Sequence, residues 1–101
     1  MIRVRIEKER VTVRGHAGSA PKGSDLVCAA VSALVYALAF RLYELESAGR
    51  IANAKPRLDA GDAEITWQGE AEEAVAVFRA GIRLLEANEP NYIKLEEDAY
   101  G

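Results

Sequence analysis

The segment from Leu26 to about Glu46 constrains the fold more than any other part of the chain. It reads as one long helix, apolar nearly all round at its start and more polar toward its end. A helix of that character has no solvent face of its own, so other elements or a second subunit must enclose it. Asp25 or Ser24 is placed to cap its first turn, because a side-chain oxygen there can accept a free amide. Ala29, Ala30, Ala33 and Ala37 are small enough to let a neighbour approach closely. The longest apolar run, Leu26 to Phe40, is interrupted by Cys28 and Ser32. It is shorter than the roughly 20 residues that span a bilayer, so a buried core helix is expected and no membrane partner.

The flanking segments supply what would enclose it. Ile2, Val4 and Ile6 alternate with Arg3, Arg5 and Glu7, the period of a half-buried strand. The polar break Glu7-Lys8-Glu9-Arg10 and the renewed alternation of Val11 and Val13 make a hairpin. Residues 15–24, with three glycines and Pro21, form a loop. Gly49 is placed to end the helix. Residues 50–57 and 62–67 read as a second strand pair joined by Asp59-Ala60-Gly61-Asp62. Glu70 to Asn88 is an amphipathic helix with Ala71, Ala74, Val75, Phe78, Ile82 and Leu85 on one stripe, stopped by Pro90. Tyr92 to Glu96 is a short last strand, and residues 97–101 a frayed tail. The expected order is therefore ββαββαβ in one α+β domain over residues 1–101, with two helices on one face of a mostly antiparallel sheet.

The formal charge of −3, with no stripe of Lys or Arg, argues against direct nucleic-acid binding. One cysteine cannot close an intramolecular disulfide, and the N-terminus lacks the pattern of a secretory signal. A cytoplasmic location is expected. One His and one Cys make no closed metal site, and the glycines match no phosphate or dinucleotide loop, so no metal or cofactor is expected.

The chemistry-bearing residues lie around the glycine loop. His16 follows Gly15 at a strand end, and Cys28 falls in the first turn of the apolar helix. The positive end of a helix dipole favours the thiolate, the nucleophilic form of cysteine, and a nearby imidazole completes a nucleophile–base pair. Asp25, Cys28, Ser32 and Tyr36 share one side of the helix at three- and four-residue spacing, a polar stripe that asks for a cleft or a hydrogen-bond network. The amide of Cys28 is a candidate oxyanion donor, since first-turn amides lack helical partners. Each residue also has a plainer use: Cys28 as packing, His16 as a solvated loop residue, Asp25 as a cap, Ser32 bonding back to its own helix, and Gly15, Gly18 and Gly23 as turn formers.

Gly15-His16-Ala17, Gly23, Asp25 and Val27-Cys28-Ala29-Ala30-Val31-Ser32-Ala33-Leu34 together resemble the signature of the bacterial ribosomal-processing cysteine protease family, Prp. The resemblance implies catalytic His16 and Cys28, supporting or substrate-binding roles for Gly15, Asp25 and Ser32, and a mobile loop hinged at Gly18 and Gly23. It implies an endopeptidase that removes a short N-terminal extension from a large-subunit ribosomal protein, cutting after an aromatic residue, and a homodimer. The competing reading is a ribosome-associated binding module without chemistry, in which Cys28 only packs.

Overall fold

The computed structural model describes residues 1–16, 18 and 25–97. The elements are β1 (Ile2–Glu7), β2 (Arg10–Arg14), α1 (Leu26–Ser47), β3 (Ala52–Asp59), β4 (Asp62–Gln68), α2 (Glu72–Asn88) and β5 (Ile93–Glu97), the ββαββαβ order expected from the periodicities. They build one five-stranded sheet in the order β3-β4-β2-β1-β5. Three neighbouring pairs are antiparallel and β1·β5 is parallel, so the sheet is mixed. Since β2 and β3 both oppose β4, they run parallel to each other and α1 is the crossover between them; α2 does the same between β4 and β5.

Ile2, Val4 and Ile6 of β1 face the helices together with Val11, Val13, Ile65 and Trp67. The other face carries charge: Arg3 and Arg5 reach Glu96, and Arg14 reaches Asp62. These exposed pairs contribute little stability each, and mainly keep that face wet. α1 is long and apolar enough to cross a membrane by length and composition alone, yet it has two apolar seams. Val27, Val31, Val35, Leu38, Leu42 and Leu45 pack on the sheet. Tyr36, Phe40 and Tyr43 lie on the opposite side and stay exposed.

The element ends move for identifiable reasons. The Asp25 carboxylate accepts from the amides of Val27 (3.0 Å) and Cys28 (3.1 Å), starting α1 where the sequence places it. At the other end Gly49, with φ +74°, donates to Glu46 O and Arg50 donates to Leu45 O, the paired bonds of a Schellman cap. That cap consumes residues 49 and 50, so β3 begins at Ala52 and not at residue 50. The expected start of α2 at Glu70 slips to Glu72, because the Glu70 carboxylate accepts from the Glu72 amide ahead of the first turn. Glu97 is not frayed. It closes β5, bonded to Arg79 (2.5 Å) and Arg83 (3.1 Å), while residues 98–101 of the expected tail lie outside the described residues.

Both sheet edges are partly closed by helix glutamates. Glu86 of α2 accepts from the amide of Leu95 in β5 (2.8 Å), and Glu46 of α1 accepts from the amide of Ala54 in β3 (2.8 Å). Edge amides left bare invite pairing with other chains.

Leu42, fully buried on the inner seam of α1, should lose about 2–5 kcal/mol of stability on substitution by Ala. Leu26→Ala, 81% exposed on the same helix, should change it by less than about 0.5 kcal/mol. Urea denaturation of the two variants checks the assignment of the seam.

Candidate active site

His16 leaves the end of β2 through Gly15, whose φ of +98° suits glycine alone. A Cβ on Gly15 would collide with the carbonyl of Met1. Two backbone bonds fix the turn: Gly15 N donates to Gly61 O (2.9 Å), and the Met1 amino group donates to His16 O (2.7 Å). The strand end carrying the imidazole is therefore tied both to the start of β1 and to the tip of the β3–β4 hairpin.

The imidazole lies over Gly61. A Cβ built on that glycine would stand 2.5 Å from His16 Nε2 and 2.8 Å from Cε1, well inside contact distance. Gly61 thus serves twice: its φ of +72° closes the hairpin, and its missing side chain makes room for the histidine ring.

Cys28 enters from the other side, half-buried in the first turn of α1. His16 and Cys28 line one cleft of about 300 Å³, at the small end of the range for ligand sites. Ser32 and Tyr36 continue the α1 wall from Cys28, and Val31 and Val35 form apolar floor. Leu58 to Ala63 make the facing wall, with Gly15 beside His16. The structure thus brings Gly15, His16, Cys28 and Ser32 together, along with the Tyr36 of the expected stripe.

Asp25 sits apart from this lining. Its Oδ1 holds the first turn of α1, which corrects one expectation: the Cys28 amide is not a free oxyanion donor, because Asp25 accepts its hydrogen. Gly18 has φ +72° with open space around its Cα, a conformation compatible with a turn. The other expected hinge, Gly23, lies with Ala17 and residues 19–24 outside the described residues.

The hairpin tip is the part of the site that sequence reasoning missed. Asp59-Ala60-Gly61-Asp62 reads as a turn, and nothing local says that the turn faces a histidine 45 positions earlier in the chain. The tip is charged but internally paired. Arg57 bonds both Asp59 (3.0 Å) and Asp62 (3.3 Å), and Arg14 bonds Asp62 (3.2 Å). Hydrogen bonding from Arg57, then from Arg14, holds the Asp62 carboxyl below its ordinary range. The cleft therefore has an ionised acidic rim beside Gly61. Among the described residues no group of three or more His, Cys, Asp or Glu side chains is arranged to hold a metal.

A half-buried thiol at a helix start, sharing a small cleft with an imidazole on a glycine-hinged strand end, is the constellation of a cysteine peptidase. The model of the Cysteine protease Prp family matches residues 1–94. The chain belongs to that family, and is accordingly a cysteine protease. It is similar to the crystal structure of the ribosomal processing protease Prp from S. aureus in complex with a covalently linked product peptide. Identity is 23%, covering 97% of this chain and 100% of that one, with a TM-score of 0.83. The S. aureus protease in complex with a substrate peptide gives 22% identity over 97% and 100% of the two chains, and a TM-score of 0.76. SMU.848 from Streptococcus mutans gives 27% identity over 96% and 93%, and a TM-score of 0.69. None of the curated proteins is similar enough in sequence to match.

The contact between Gly61 and His16 can be separated from backbone strain. Gly61→Ala and Gly49→Ala both place an alanine at a φ near +70°, costing each fold about 1 kcal/mol. Only Gly61→Ala meets the imidazole; Gly49 has open space. His16 is the sole histidine, so its ring resonances are unambiguous in NMR spectra. They should move in Gly61→Ala and stay in place in Gly49→Ala.

Proposed function

We propose that the chain is an endopeptidase of bacterial ribosome maturation, removing a short N-terminal extension from a large-subunit ribosomal protein in the cytoplasm. The observation that carries this reading is the shared cleft: His16 and Cys28, the two residues matching the family's catalytic pair, line the same small cavity from opposite walls. In the mechanism, His16 accepts the thiol proton as Cys28 Sγ attacks the scissile carbonyl. The tetrahedral intermediate collapses to a thioester, and the departing amine takes the proton from His16. Water, deprotonated by the same imidazole, then releases the acid and restores the thiol.

Asp25 is a positioning residue in this scheme, fixing the turn that carries Cys28. Gly15 lets the strand end bend, and Ser32 offers a hydroxyl to the substrate one turn beyond the nucleophile.

A homodimer fits the outer seam of α1. Ala29, Ala33, Tyr36, Phe40 and Tyr43 are all exposed, at alternating spacings of four and three residues. In an antiparallel pairing with a second copy, Ala29 faces Tyr43, Ala33 faces Phe40 and Tyr36 faces itself, so small residues oppose large ones around a twofold axis.

Two measurements test these readings. A peptide spanning the junction of extension and body should be cut by the wild type and left intact by Cys28→Ala, with His16→Ala losing at least about a hundredfold in rate. Cutting by the Cys28→Ala variant overturns the mechanism. In sedimentation at micromolar concentration the wild type should run as a dimer and Phe40→Glu as a monomer; a monomeric wild type removes the dimer.

A further inference from the structure

Among the described residues, the outward amides of β3 are closed at Ala54 and Pro56 and open at Leu58, which lines the cleft. Along a strand, alternate residues aim both N–H and C=O at the paired strand, and those between aim both away. Two observations fix which residues of β3 face outward. The Ala54 amide is taken by Glu46 of α1, off the sheet edge. Pro56, opposite Ile65, has no N–H to give the ladder, so it occupies a position that leaves the bonding to its neighbours. Leu58, opposite Ala63, continues the same alternation two residues on. Its N–H and C=O therefore point outward from the sheet.

The three outward positions differ in what they leave open. At Ala54 the amide is occupied, and at Pro56 there is none. At Leu58 neither group has an off-ladder partner among the described residues, and Leu58 lines the cleft that holds His16 and Cys28. The far edge of the sheet follows the closed pattern, with the Ile93 amide donating to Glu89 O and the Leu95 amide to Glu86. One open residue pair on a guarded edge, at the reactive cavity, is what a docking point for an extended chain requires.

We infer that the substrate binds by adding one residue as a strand fragment to β3 at Leu58, its N–H donating to Leu58 O and its C=O accepting from Leu58 N. This rests on the peptidase reading above and specifies how that site holds its substrate. Pro56 and the Glu46 contact stop the added strand from running further along the edge, so the grip is short. Main-chain recognition is indifferent to side chain, which leaves selectivity to the walls made by Tyr36 and Ser32. A two-bond grip also lets product leave.

The same geometry supplies a clean test, since proline at position 58 deletes an outward amide without touching the ladder, as Pro56 already does. Leu58→Pro and Leu58→Ala lose the same side chain, but only the former loses the N–H. With a quenched-fluorescent peptide of the extension–body junction, KM for Leu58→Pro should exceed that of Leu58→Ala by about tenfold, the loss of one hydrogen bond. Thermal melting identifies a variant that fails to fold. Independently, in a scan of N-methylated peptides on the wild type, one position should raise KM about tenfold and its immediate neighbours much less. Equal KM values for the two variants in a Cys28-dependent wild type, or a flat N-methyl scan, overturn the docking while leaving the peptidase reading intact. A change in sedimentation for Leu58→Pro with KM unaltered shows the edge pairing with a second copy instead, and overturns it too. A wild type that cuts nothing overturns both readings.

Discussion

Enclosure of α1 is the constraint on which the rest depends. A helix with an inner seam of valines and leucines cannot stand alone, and the five-stranded sheet exists to take that seam. Its position along the sheet is set at both ends by local chemistry, the Asp25 carboxylate at the start and the Gly49 cap at the finish. Because both ends are pinned, the first turn is delivered to one place, beside the tips of β2 and the β3–β4 hairpin. A thiol on that turn inherits the precision of the core it packs against.

The facing group is held by a different logic. His16 sits where regular structure ends, and no ladder holds its ring. Its backbone is tied by bonds to the start of β1 and to the hairpin tip, and its ring rests on a glycine. Three separate stretches of chain thus converge on the imidazole, and α1 brings the thiol. A cleft assembled from the ends of packed elements has its walls held by the core, which suits a reaction that needs fixed geometry. The acidic groups at its rim are paired with arginines of the sheet's charged face, so the rim's negative charge is structural as well as electrostatic.

Much of this was legible in the residues. The strands, the two helices and their order followed from periodicity, and the start of α1 from Asp25. His16 and Cys28 could be singled out because the chain has one of each, on either side of one glycine loop. What stayed hidden depended on distant chain. The parallel pairing of β5 with β1 leaves no mark on either strand, since a buried face alternates the same way in both directions. Asp59-Ala60-Gly61-Asp62 reads as a hairpin turn in isolation; that Gly61 lacks a side chain for the benefit of His16 is visible only in three dimensions. The Cys28 amide follows a simpler rule: an Asp cap takes a first-turn amide, so the same amide is not free for an oxyanion.

The account stands on the imidazole and the thiol working as a pair in the resting protein. Iodoacetamide alkylation of Cys28 at neutral pH, followed by mass spectrometry, reports that coupling without any substrate. Removing the ring in His16→Ala should slow the modification at least about tenfold, because the base that takes the thiol proton is gone. An unchanged rate in a folded His16→Ala variant would mean that the two groups do not communicate, and the central claim would fall.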